Sequence, residues 1–206
     1  MNRIVVAGAG PGGEDYILPV VWRKAAEADV LAGGERALAP FLGLGKETLP
    51  ITADLSRLAG RLQRLAQDRK VVVLVSGDPG FYSLLSFLRR HFAADELEVI
   101  PGISSLQAAF ARLAEPWQSA VLLSAHGRDA ATLLPSLLLP GTRAVLTDRS
   151  WTPFRLAELI LGAGGKDCGV TLCYGLTGPK EKIIPATLAA IDNTAEGDCV
   201  MVIHSE

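Results

Sequence analysis

The chain has 206 residues, 49% of them hydrophobic, which is enough to bury a sizeable core in one large domain or two small ones. A formal net charge of −2 excludes the basic balance of a dedicated nucleic-acid binder and gives no basis for an anionic membrane partner. Cys168, Cys173 and Cys199 form no C-x-x-C pair and no even-numbered framework, so they are expected as small buried apolar residues in a reducing compartment.

The N-terminus, MNRIVVAGAG, enters a strand at once, over residues 3 to 8, without the layout of a signal peptide. No uncharged apolar run reaches the roughly 18 residues of a membrane span. A soluble, cytoplasmic protein is expected. The strand runs into GAGPGG, where Gly8, Gly10 and Gly13 satisfy G-x-G-x-x-G, a spacing that after a strand suggests a nicotinamide or flavin cofactor. Residues 14 to 27 are predicted as a helix and DVLAGG, residues 29 to 34, as a second strand with a glycine stop. A dinucleotide site needs an acidic residue at the end of that second strand to hold the ribose. The strand ends in Gly33-Gly34 instead, with Glu35 just beyond and Asp29 at its start, the wrong end, and Pro11 removes one N–H from the loop that would meet a pyrophosphate. The fingerprint is damaged, and a plain tight turn with glycines at positive φ competes with every ligand reading.

Residues 54 to 67 are predicted as an amphipathic helix, with Leu55, Leu58, Leu62 and Leu65 at the helical period. Arg57, Arg61 and Arg64 fall on another face and are expected to be a solvated surface rather than an RNA-binding stripe. The uninterrupted β-branched run VVVLV predicts a central parallel strand covered on both sides. It ends in Gly77-Asp78-Pro79-Gly80, and a helix is expected from Gly80 to His91. LEVI repeats the design with a turn, Pro101-Gly102-Ile103-Ser104-Ser105, and a helix. Residues 114 to 120 connect to a second half, where AVLLSAHGR, TRAVLTD, GVTLCYG, EKIIPAT and DCVMVIHS are expected as strands and TPFRLAELILGAGG as a helix. The reading is α/β: two α/β domains, residues 1–114 with a mainly parallel sheet and 118–206 with a mixed sheet, and a ligand cleft between them.

Strand-to-helix turns of a parallel sheet gather at its usual ligand edge. Gly77 would let a ligand approach the backbone. Pro79 pushes Asp78 toward an extended conformation. Phe81 and Tyr82 begin the next helix, as core residues or as a wall for a flat ligand. Ser104 or Ser105 caps the following helix or binds a carboxylate at its positive end.

The pieces GAGPGG, ADVLAGG, SGDPGFYS, IPGISS and SAHGR, in this order through most of the chain, resemble the tetrapyrrole methylase family. The resemblance implies two α/β domains, S-adenosylmethionine as cofactor and a homodimer. VSGDPGFYS, IPGISSLQAAFARLAEPW and LSAHGR bring it nearest to the branch that methylates C5 of a precorrin, which implies cobalt-precorrin-7 or precorrin-6Y as a small-molecule substrate. The chain's length implies the stand-alone form, with a separate C15-methylating, decarboxylating protein as a further partner. By resemblance Pro11, Gly77, Asp78, Pro79, Ser104 and Ser105 bind the cofactor, and Tyr82, His126 and Arg128 the substrate. No metal site is expected, a strong catalytic base is not required, and no catalytic residue is assigned. Arg128 suits a carboxylate clamp, with Arg149 a weaker candidate. His126 orients substrate, takes a proton from carbon, or merely bonds backbone at a strand end; His91 and His204 are expected to be structural or exposed. One departure from the family pattern is Gly13-Glu14-Asp15, where many members carry Gly-Asp-Pro after the first Gly-Pro-Gly. Competing readings are another methylase of the fold, a nicotinamide-dependent oxidoreductase, and a binding module without catalysis.

Overall fold

Strand β1 (Ile4–Gly8) is buried throughout. The computed structural model describes residues 2–52, 54–194 and 198–205. After β1 comes a 3-10 turn, Glu14–Tyr16, and helix α1 (Pro19–Glu27) begins only at the proline. The single helix expected over 14–27 is therefore interrupted. Pro19 fits the first helical turn, where its missing N–H is not needed, and it holds Leu18 extended at φ −61° and ψ 140°. Strand β2 (Val30–Gly33) leads to α2 (Glu35–Leu38) and a 3-10 stretch, Ala39–Leu44. Strand β3 (Glu47–Pro50) is a mostly exposed edge strand, which its sequence, ETLP, does not announce.

Helix α3 (Leu58–Leu65) is shorter than the predicted 54–67. Asp54 Oδ1 accepts from the Ser56 N–H at 3.0 Å, a local turn that competes with helix at that end. Leu58 and Leu62 are buried, and Arg57, Arg61 and Arg64 are exposed, as a solvated face requires. Strand β4 (Val71–Val75) is buried at every position. The helix expected from Gly80 to His91 shrinks to one turn, α4 (Leu85–Leu88). Phe81 and Tyr82 do not begin it: Tyr82 lies at φ +46°, a left-handed conformation that no helix admits. Strand β5 (Leu97–Ile100) and helix α5 (Ser105–Leu113) follow.

β1 to β5 form an all-parallel sheet in the order β3-β2-β4-β1-β5. Alternate residues of the same strands feed two cores. Ile4, Val6, Val71 and Val73 face one, with Leu62 and Leu88; Val5, Ala7, Val72 and Leu74 face the other, with Val21 and Phe41. That double coverage is why VVVLV carries no polar residue.

The later elements are β6 (Val121–Ser124), α6 (Leu134–Leu137), β7 (Gly141–Leu146), α7 (Pro153–Gly162), β8 (Gly169–Tyr174), β9 (Lys182–Thr187) and β10 (Cys199–Ser205). They build a mixed sheet, β6-β7-β10-β8-β9, in which only β6 and β7 run parallel. Leu123, Val145, Leu172, Met201 and Ile203 pack on one face with Leu156 and Ile160 of α7. The chain divides into two compact units between Ser104 and Ser105. The sequence reading ends its first domain at residue 114; α5, within that stretch, packs on β7 and β10 and so goes with the second unit. No helix of the described residues is long and apolar enough to cross a membrane.

Candidate active site

In the first unit β4, β1 and β5 are neighbours, so their C-terminal turns lie side by side. The turns are joined through backbone: Ala9 N–H donates to Val75 O at 2.7 Å and Gly77 N–H to Gly10 O at 2.8 Å. A Cβ on Gly8 would stand 2.4 Å from Gly77 O and 2.6 Å from Gly102 Cα; one on Gly102 would stand 2.2 Å from Gly77 O. Gly8 and Gly102 are thus required by backbone packed on backbone. Gly10 and Gly77 are required by conformation, at φ +73° and +68°.

This geometry departs from a dinucleotide turn. Gly13 has ordinary extended angles, φ −77° and ψ 139°, and the turn opens onto a 3-10 stretch, with α1 starting only at Pro19. The helix N-terminus that receives a pyrophosphate in that motif is therefore missing from GAGPGG. Asp29, the acidic residue nearest to β2, uses Oδ2 to accept from the Lys70 N–H at 2.8 Å, at the opposite end of the strand.

Asp78 organises the remaining turns. Its Oδ1 accepts from Gly80 N–H at 2.7 Å, and its Oδ2 accepts from Gly102 N–H at 3.0 Å. The carboxylate thus holds the turn after β4 to the turn after β5, reaching over β1 between them. Pro79 behind it is buried, and Pro11 is half-buried. Ser104 lies across from Gly77, whose Cβ would come within 3.6 Å of Ser104 Cα. Ser105 is the first residue of α5. Tyr82 is 42% exposed, and its ring meets Phe81 edge-on at 4.7 Å between centroids. A bulky residue held at positive φ with an exposed ring is the kind of strain that collects at ligand sites.

In the second unit SAHGR follows β6. Arg128 N–H donates to Ala125 O at 3.2 Å and Gly127 has φ +66°, closing a tight turn with His126 and Arg128 exposed. Sequence reasoning missed the residue that anchors this turn. Asp148, after the adjacent strand β7, accepts from Gly127 N–H at 2.7 Å through Oδ2 and from Ser150 and Trp151 N–H at 2.8 Å each through Oδ1. Burial works to raise its pKa, but those backbone donors together with nearby His126 outweigh it and hold the carboxyl below the usual range. The local signal was available, an Asp two residues ahead of a Ser in a turn; the partner glycine, 21 residues earlier, was not. Ser124 was also missed. Its Oγ is buried with no hydrogen-bond partner among the described residues.

Of the other candidates, Arg149 is exposed, His91 packs against Phe87 with ring centroids 4.6 Å apart and planes tilted by 47°, and His204 Nδ1 lies 3.7 Å from a Glu115 carboxylate oxygen. All three cysteines are free, and burial pushes the Cys173 thiol up to about 11 and the Cys199 thiol up to about 12. Among the described residues no group of three or more His, Cys, Asp or Glu is placed to hold a metal.

The family model of the Tetrapyrrole (Corrin/Porphyrin) Methylases matches residues 3–192. The chain belongs to this family. This tetrapyrrole methylase is 30% identical to a cobalt-precorrin-7 C(5)-methyltransferase of Salmonella typhimurium, over 97% of the chain and 98% of the relative. It is 33% identical, over 87% of its length, to a decarboxylating precorrin-6Y C(5,15)-methyltransferase of a Sinorhizobium species, of which it spans 44%. Among solved structures, a uroporphyrin-III C-methyltransferase of Thermus thermophilus in complex with S-adenosylhomocysteine superimposes with a TM-score of 0.80 at 22% identity. That match covers 98% of this chain and 97% of the other, and it establishes the shared fold.

Proposed function

We propose that this methylase transfers a methyl group from S-adenosylmethionine to C5 of a precorrin, cobalt-precorrin-7 on the anaerobic route or precorrin-6Y on the aerobic one. The observation that carries the reading is the set of three adjoining turns, two of them held together by Asp78 and the third joined to them through backbone. They present backbone groups and small side chains at the C-terminal edge of a parallel sheet, and the turn after β1 does not lead straight into a helix that could take a pyrophosphate. That donor set suits a methyl donor held mainly through backbone. The full-length similarity to a C5-methyltransferase supports the choice of ring position.

S-adenosylmethionine supplies an activated methyl group, so the demand on the protein is alignment. Pro11, Gly77, Asp78 and Pro79 form the donor wall, with Asp78 acting through the turn shape it imposes. Ser104 and Ser105, at the start of α5, suit the carboxylate end of the donor, where helix N–H groups and dipole favour negative charge. Tyr82 offers an exposed ring to a flat macrocycle. Arg128 offers a fork for one of its carboxylates. His126 is placed beside Arg128 to orient the substrate or accept a proton. The same reading assigns the enzyme to the cytoplasm as a homodimer, with a separate C15-methylating, decarboxylating partner.

The test is turnover with a panel of precorrins and S-adenosylmethionine, scored by mass spectrometry for the gain of one methyl and by NMR for its position. Methylation of cobalt-precorrin-7 or precorrin-6Y at C5 is expected; methylation of a different precorrin alone would replace the substrate assignment. Arg128→Ala is expected to weaken tetrapyrrole binding by about tenfold, the loss of one charge-assisted hydrogen bond, and to leave S-adenosylhomocysteine affinity unchanged. Equal loss of both in calorimetry would refute that division of roles.

A further inference from the structure

The turn that carries His126 and Arg128 follows β6, an edge strand with a sheet neighbour on one side only. Two short-range features shape it: the Arg128 N–H bond to Ala125 O and the left-handed Gly127. Ala125 N–H still bonds Leu146 O at the end of β7 at 2.8 Å, and beyond it the tie to the neighbouring turn is the Asp148 carboxylate on Gly127 N–H. Asp148 is itself fixed from the other side. Its Oδ1 is held by the Ser150 and Trp151 N–H groups. Ser150 O accepts from Arg155 Nη1 at 2.5 Å, the Arg155 guanidinium lies 5.5 Å from the Trp151 ring centroid, and Thr152 Oγ1 caps α7 by accepting from Arg155 N–H at 3.3 Å. A continuous set of contacts thus runs from a packed helix through Asp148 to an exposed turn with a cationic fork on it.

We propose that Asp148 is a positioning residue for substrate binding: it fixes the Ala125–Arg128 turn so that His126 and Arg128 meet a substrate bearing several carboxylates. The proposal rests on the functional reading above and adds a residue to it. A bare Arg on a loose loop would lose affinity to the ordering of its own turn. Here the bond to Gly127 establishes that order before the substrate arrives.

Asp148→Asn is the informative change. Asn keeps one acceptor oxygen for the Ser150 and Trp151 donors and turns an NH2 group toward the Gly127 N–H, so the bond between the two turns is lost and the local turn is kept. The affinity of wild type and D148N for cobyrinic acid, a stable corrinoid with several carboxylates, is measured by fluorescence quenching. S-adenosylhomocysteine affinity is measured by calorimetry, and the Gly127 amide is followed by NMR. The expected result is an upfield shift of the Gly127 amide proton, about tenfold weaker corrinoid binding and unchanged S-adenosylhomocysteine affinity. Unchanged corrinoid affinity with a shifted Gly127 resonance overturns the proposal. A wild type that binds S-adenosylhomocysteine but no corrinoid overturns the substrate reading, and the proposal with it. Should D148N fail to fold, Gly127→Ala strains the same turn through its positive φ, while its Cβ meets nothing within 4 Å; the same tenfold loss is then expected and its absence is decisive against the proposal.

Discussion

Two aspartates do similar work in the two units. Asp78 and Asp148 each follow a strand, accept an N–H two residues on, and send the other oxygen to a glycine N–H in a different turn. The residue types were legible in the sequence as turn formers. Their long-range partners, Gly102 and Gly127, were not, because only the strand order brings those glycines near. The depressed pKa of Asp148 sets a sign. Deprotonation favours the folded turn, so the contribution is fully present above the ordinary Asp value of 3.8 and is lost as pH falls through the lower folded value. The Asp148 side-chain carboxyl, followed by NMR, should titrate with a midpoint below 3.8; a midpoint at or above 3.8 would contradict the bond. Ser124 makes the opposite case. A buried hydroxyl without a partner costs stability, so Ser124→Ala should leave Tm unchanged or raise it, and a clear fall in Tm would reveal a partner.

Elements were legible where one pattern dominated and illegible where a local contact overrode it. VVVLV gave a buried central strand because both faces of the sheet are covered. The helix after it was overestimated because a left-handed Tyr82 and the Asp78–Gly80 bond delay its start to Leu85. The strand at ETLP is too short and too exposed to show alternation. GAGPGG was ambiguous on spacing alone; in the structure its turn and the two adjoining turns all meet through glycine backbones. Gly102→Ala would place its methyl 2.2 Å from Gly77 O, so a destabilisation of about 1–3 kcal/mol is expected, with weaker S-adenosylhomocysteine binding. Gly34→Ala is the control, with φ −69° and nothing within 4 Å of its Cβ; it should change stability by no more than about 0.5 kcal/mol. Similar losses from both in chemical denaturation would show that the turns are not packed as described.

For the whole molecule, the alternation of strands and helices predicted two α/β units with a parallel and a mixed sheet. The division itself was displaced by the length of α5, since a helix joining two units carries no sequence mark of the side on which it packs. The buried thiols fit a structural role: with values pushed to about 11 and about 12, Cys173 and Cys199 should resist alkylation in the native protein at neutral pH, and rapid labelling of either would contradict their burial. The central claim is that GAGPGG and its neighbouring turns bind a methyl donor and not a dinucleotide. Calorimetric titration with S-adenosylhomocysteine, beside NADH under the same conditions, tests it most directly. Saturable binding of S-adenosylhomocysteine, weakened by Asp78→Ala, with no binding of NADH, is the expected result. Binding of NADH alone would contradict the account and restore the literal meaning of the glycine spacing.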